Sequence, residues 1–207
     1  MKNVSILIDS ISLEGELSLP KYARGIVIFA HGSGSSRTSP RNIFVANVLQ
    51  KEGIGTLLID LLTEKEDEVY ETRFDIDLLV SRLVAITDWL DKNPDTKNLS
   101  VGLFGASTGA ASALKVAFKL GKKIKAVVSR GGRPDLANEV LGNVQSPTLL
   151  IVGGNDYGVI ELNEGAFRKL RCEKKLEIIE GATHLFEEKG ALEKVAELAA
   201  DWFKKYL

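Results

Sequence analysis

Residues Leu103–Ser112 read "LFGASTGAAS". An apolar run, "VGLF", passes directly into residues with almost no side chain, and one serine stands at the centre of Gly105-Ala106-Ser107-Thr108-Gly109. A continuous apolar run bounded by small residues marks a strand buried on both faces that enters a tight turn. Two readings of the serine follow. In one, the small residues only serve a strand-to-helix turn. In the other, the chain bends so hard that the Ser107 hydroxyl is pushed out as a nucleophile, as in a G-x-S-x-G elbow.

The same type of run recurs along the chain. "GIVIFA" (25–30), "TLLIDLL" (56–62), "KAVVSR" (125–130) and "TLLIVGG" (148–154) read as buried strands beside "LSVGLFG" (99–105). "KLEIIEG" (175–181) is more mixed and belongs near a sheet edge. Val4–Ile8 and Leu13–Leu19 open the chain; the second alternates apolar and polar residues, so the two read as an antiparallel pair with one wet face. Helix patterns lie between the later runs. Ser39-Pro40 looks like an N-cap with proline at the first helical position, and Gly53 is the stop. A helix is expected from about Thr72 to Asn93, and others over 108–120, about 160–170 and about 189–206. This alternation argues for a parallel α/β sheet covered by helices on both faces. No linker or repeat divides the chain, so 1–207 reads as a single domain.

Composition narrows the function classes. The chain is 44% hydrophobic and 27% charged, with net charge −1, so nothing global points to nucleic acid or to an anionic membrane. Cys172 is the single cysteine, which rules out an intrachain disulfide and fits a reducing, cytoplasmic setting. No apolar run approaches the roughly 20 residues of a membrane helix, and the N-terminal run is too short and interrupted for a signal peptide. Cys172 reads as a loop or core thiol, and Trp89 and Trp202 as packing residues.

In an open α/β sheet, ligands bind beyond the carboxyl ends of the strands. The segments there are His31-Gly32-Ser33-Gly34-Ser35-Ser36-Arg37, Ala106-Ser107-Thr108-Gly109, Arg130-Gly131-Gly132-Arg133, Asn155-Asp156-Tyr157 and Ala182-Thr183-His184. A serine, an aspartate and a histidine therefore share one rim, in that chain order. A serine hydroxyl needs a base within reach, and the base needs an orienting carboxylate. The chain has two histidines. His184, in "GATHLF", occupies the base position of the Ser…Asp…His order. His31 is the rival, but the glycines beside it suit a loop that presents backbone N–H groups to an oxyanion, with the imidazole holding the loop's shape. For the acid, Asp156 is favoured by its place in the order, with Asp135 and Asp60 as alternatives.

These features resemble the alpha/beta-hydrolase superfamily, most of all its small dienelactone hydrolase-like members. "HGSGSSR", "GASTG", "GGND" and "GATHLF" carry the resemblance over nearly the whole chain. It implies a three-layer fold with an eight-stranded, mostly parallel sheet and helices on both faces. It implies Ser107 as nucleophile, Asp156 as acid and His184 as base, with an oxyanion hole made by the backbone N–H groups of Thr108 and Ser33. Dienelactone hydrolases proper are known for a cysteine nucleophile, whereas this elbow carries serine.

The expected activity is hydrolysis of small soluble carboxylic esters or thioesters through an acyl-enzyme on Ser107, without metal or organic cofactor. The competing readings are acyl transfer to an alcohol or amine, and a non-catalytic binding module on the same fold. Arg37, Arg41, Arg130 and Arg133 all leave the carboxyl ends of strands. Guanidinium forks suit carboxylate or phosphate, so these arginines are candidates for selecting an anionic substrate; alternatively they pair with acidic residues. The polar segment 63–75 is placed across the mouth of the pocket.

Overall fold

Apolar at every position but its glycine, residues 25–30 form β3 (Gly25–Ala30), and all six are buried. In the computed structural model, which describes residues 2–207, β3 lies inside an eight-stranded sheet. Its companions are β1 (Lys2–Ile8), β2 (Ile11–Ser18), β4 (Gly55–Ile59), β5 (Ser100–Ala106), β6 (Ile124–Arg130), β7 (Thr148–Gly153) and β8 (Lys174–Ile179). The order across the sheet is β1-β2-β4-β3-β5-β6-β7-β8. Pairing is antiparallel for β1–β2 and β2–β4 and parallel from β4 onward. The mixed run at 175–181 falls in the edge strand β8, none of whose residues is fully buried.

The helices are α1 (Pro40–Lys51), α2 (Glu64–Asp67), α3 (Ile76–Lys92), α4 (Thr108–Leu120), α5 (Tyr157–Lys169) and α6 (Ala191–Tyr206). Side chains of a strand alternate between faces, and the core divides accordingly. Val27, Phe29, Phe104 and Val128 pack with Val45 and Leu49 of α1 and Val195 and Phe203 of α6. Ile28, Leu103 and Val127 pack with Leu83 of α3, Leu114 of α4 and Ala166 of α5. Trp202 is buried on the first face, and Trp89 packs against the second. Among the described residues, no helix is long and apolar enough to cross a membrane.

The topology fixes where a ligand would sit. From β3 the chain passes through α1 to β4 on one side. It then crosses back through α3 to β5 on the other side of β3. The chain diverges between β3 and β5, so a crevice opens above their carboxyl ends.

The helix expected over 72–93 is divided. Residues Glu71–Phe74 make one 3-10 turn, and α3 starts only at Ile76. Asp75 causes the break: its carboxylate accepts from the amide of Leu78 at 2.9 Å and caps α3. Ser39 does stand at the N-cap of α1 with Pro40 behind it, but its side chain makes no capping bond.

Candidate active site

β5 ends at Ala106 and α4 begins at Thr108, which leaves Ser107 alone at the junction. Its backbone sits at φ +51° and ψ −122°. A non-glycine residue in such a region carries roughly 1–3 kcal/mol of strain and persists only where its surroundings hold it. Here the Ser107 amide donates to the Arg130 carbonyl at 3.2 Å, and the Ser107 carbonyl accepts from the amides of Arg133 at 3.0 Å and Ala110 at 3.1 Å. Gly105 and Gly109 make the turn possible. A Cβ on Gly105 would overlap the backbone of Ala110, and one on Gly109 would overlap the carbonyls of Ala30 and His31. The sharp turn aims the N-terminal amides of α4, with their partial positive charge, at the space above the serine.

The ends of β7 and β8 supply the second half. Asp156 stands where β7 turns into α5, and His184 follows β8. His184 Nδ1 lies 2.6 Å from Asp156 Oδ2. With the carboxylate oxygen accepting, Nδ1 is the donor and Nε2 is the ring nitrogen left outside this bond. Asn155 ties the two loops together: its amide donates to the Ala182 carbonyl at 2.9 Å, and its side-chain Nδ2 donates to the Gly181 carbonyl at 2.9 Å. Gly131 reaches the same ring from β6, since a Cβ there would stand 3.4 Å from His184 Cε1.

The alternative residues have other partners. Asp60 pairs with Arg37 and also accepts from the Arg37 amide at 2.7 Å. Asp135 forms a two-pronged pair with Arg133, at 2.8 and 2.7 Å. His31 is buried; its Nε2 accepts from the Leu61 amide at 3.0 Å, and its Nδ1 donates to the Gly32 carbonyl at 3.0 Å. Burial pushes its pKa down, so the imidazole is neutral and pins the loop after β3 to the end of β4.

That loop faces the serine. A Cβ on Gly32 would stand 3.0 Å from Ser107 Cβ. The Ser33 amide points at Thr108, donating to its Oγ1 at 3.0 Å. Residues 63–75 reach the same loop: Arg73 Nη1 lies 3.7 Å from where a Cβ on Gly34 would be. Thr63, Glu64 and Asp67 line a polar cavity there with His31, Arg37 and Asp60.

The four arginines separate. Arg37 and Arg133 are engaged by carboxylates as described. Arg41 meets Glu187 at 3.3 Å. Arg130 is 7% exposed, and among the described residues no carboxylate pairs with it. Sequence reasoning missed two supporting residues, Phe186 and Asn163, and the side-chain role of Thr108. Phe186 lies at φ +56° and is 1% exposed. Thr108 offers its hydroxyl to the loop after β3. Asn163 is fully buried on α5 and donates to the Gly132 carbonyl at 3.0 Å. Only Asn163 left a signal, as a polar residue on the apolar face of a helix.

Comparison with known proteins agrees with this architecture. The family model described as "Dienelactone hydrolase family" matches residues 14–207. A crystal structure of dienelactone hydrolase from Anabaena variabilis is 57% identical, covers 100% of this chain and 97% of its own, and superposes with a TM-score of 0.97. Est1E from Butyrivibrio proteoclasticus is 17% identical and shares the fold, with a TM-score of 0.84 over 98% of both chains. Two Mycobacterium tuberculosis proteins, both provisionally named phosphoribosyl transferase, are 53% identical over 206 residues, which is 100% of this chain and 46% of theirs. The chain thus spans about half the length of those relatives. With the matched family running from β2 to the last residue of the chain, the chain belongs to the dienelactone hydrolase family.

Proposed function

We propose that this chain hydrolyses small soluble carboxylic esters or thioesters through an acyl-enzyme on Ser107. The observation that carries the reading is the strained Ser107 backbone at the elbow, on the same rim as the 2.6 Å bond between His184 and Asp156. A plain turn has no need of a non-glycine residue at φ +51°.

In the first step His184 Nε2 takes the hydroxyl proton as Ser107 Oγ attacks the carbonyl carbon. The carbonyl oxygen becomes an oxyanion, which the backbone N–H groups of Thr108 and Ser33 stabilise. Asp156 holds the imidazolium that forms. The C–O or C–S bond then breaks, and His184 returns its proton to the leaving alcohol or thiol. In the second step His184 deprotonates a water, the water attacks the acyl-enzyme, and the carboxylic acid leaves while Ser107 recovers its proton.

The names of the mycobacterial relatives describe polypeptides about twice as long, and the activity proposed here concerns the matched half alone. The test is stoichiometric labelling with a fluorophosphonate, read by intact mass, on wild type and Ser107→Ala. One adduct on wild type and none on Ser107→Ala is expected. A folded wild type that does not label would turn the reading toward a binding module. Partition of product between water and added acceptor alcohols separates hydrolysis from acyl transfer.

A further inference from the structure

Arg130 is the exception among the charged groups of this site. It is the last residue of β6 and has the same strand parity as Ala126 and Val128, so it lies on the sheet face that α1 and α6 cover. Its guanidinium carbon stands 5.8 Å from the centroid of the Phe186 ring. Its Nε is buried without a hydrogen-bond partner. The other charge that faces it is of the same sign: Arg41, in the first turn of α1, whose own Nε is buried and unpartnered. Burial and that neighbour lower the Arg130 pKa to about 10, so it remains a cation at neutral pH. An uncompensated buried charge is among the costliest features a fold can carry. Proteins keep such features where a ligand supplies the counter-charge.

Three features surround this charge. Phe186 packs against it and also lines an open groove with Pro40, Arg41 and Phe44, whose other charged residues are Glu187, Glu188, Lys189 and Glu193. The ring is held by a left-handed backbone at φ +56°, a strained state for a phenylalanine. The N-terminus of the 12-residue α1, uncapped by any side chain, opens beside Arg41 and adds free amides. The catalytic centre is adjacent: the Arg130 carbonyl accepts from the Ser107 amide at 3.2 Å, and the next residue, Gly131, packs on the His184 ring.

We propose that Arg130, with Arg41 and the Phe186 ring, forms an anion subsite that receives a carboxylate or phosphate group carried by the substrate. The subsite rests on the hydrolase reading for its purpose but not for its detection. Of the four arginines leaving the rim, this assigns the recognition to Arg130, assisted by Arg41. Arg37 and Arg133 are already satisfied by Asp60 and Asp135. A substrate anion would compete with Glu187 for Arg41, a half-exposed ion pair of little strength.

The test is anion binding by the catalytically silent Ser107→Ala protein, read as the rise in Tm with inorganic phosphate or with succinate, against Ser107→Ala/Arg130→Met. A charge-assisted bond contributes roughly tenfold or more to affinity, so the double variant should need at least about tenfold more anion for the same rise. A shift with phosphate alone identifies a phosphate group, and one with succinate alone a carboxylate. Without ligand, Arg130→Met should melt at or above the temperature of its parent, because an unpaired buried charge has been replaced by an apolar chain. A lower melting temperature together with an unchanged anion shift would assign Arg130 a structural role and overturn the subsite. No shift with either anion, or an equal shift in the double variant, overturns the subsite. Should Arg130→Met not fold, Arg41→Gln on the groove side is expected to weaken the same shift, and an unchanged shift there overturns it equally. Failure of wild type to label with fluorophosphonate while the anion shift persists would overturn the hydrolase reading and leave the subsite standing.

Discussion

The amide of Ser33 donates to the hydroxyl of Thr108 at 3.0 Å, joining the loop after β3 to the first residue of α4. Both residues belong to the proposed oxyanion hole, so the Thr108 oxygen occupies the Ser33 donor until a substrate oxyanion replaces it. Thr108→Val keeps the shape of the side chain and removes that acceptor. It should change kcat/KM by less than about tenfold, against the roughly 10²–10³ lost with an oxyanion donor. Steady-state kinetics on a p-nitrophenyl ester decides this; a loss of the larger size would make the hydroxyl itself a donor to the oxyanion.

Asp156→Asn keeps the side chain's volume but offers His184 Nδ1 an amide in place of a carboxylate. The imidazole can then adopt the wrong tautomer, and kcat should fall by about 10⁴. Fluorophosphonate labelling should slow in parallel. A rate within tenfold of wild type would return Asp60 and Asp135 to consideration as the acid.

Ser107→Gly should be more stable than wild type by about 1 kcal/mol, because glycine relieves the positive φ at the elbow. It should also be inert to the fluorophosphonate. Urea unfolding measures the first effect. A loss of stability would mean that the hydroxyl holds the turn together instead of being held by it.

Gly109→Ala should be destabilising by about 1–3 kcal/mol, since the new methyl meets the carbonyls of Ala30 and His31. Those carbonyls carry the loop after β3, so labelling of Ser107 should slow as well. An alanine variant with wild-type stability and labelling would show that the elbow has more room than the structure gives it.

His31 links pH to stability. Its folded pKa lies below the ordinary 6.5 because of burial. Below pH 6.5 the unfolded chain therefore binds a proton that the folded chain refuses, and stability falls as the pH drops. Between pH 7 and pH 5 the Tm should decrease, and His31→Gln should flatten that decrease. The same variant loses the bond to Leu61 and should be less stable at pH 7 by about 1–3 kcal/mol. An unchanged pH slope would assign the effect to other groups.

Much of this was legible in the order of residues. Six buried positions in a row at β3, the small residues around Ser107, and glycines before Asp156 and His184 are local signals that need no partner to be read. What stayed hidden depends on pairs that are distant in sequence. Four rim arginines look alike on paper; only the folded chain shows that Asp60 and Asp135 engage two of them and leave Arg130 alone. The left-handed backbone of Phe186 has no sequence mark, because phenylalanine is an ordinary choice elsewhere and is tolerated here by what its ring touches. Asp75 did carry a capping signal, but the apolar spacing on either side of it concealed the break before α3.

Asn155 fastens the loop of Asp156 to the loop of His184, and Thr108 fastens the elbow to the loop after β3, so the proposed site consists of two separately secured pieces. Backbone bonds at Arg130 and Arg133 are what couple the elbow to the strand between those pieces. Such a layout should exchange its amide hydrogens as two cooperative units. One unit holds Ser33, Ser107 and Arg133; the other holds Gly154, Asn155 and Ala182. Loosening Asn155 would then cost the histidine its alignment while leaving the nucleophile's turn as protected as before.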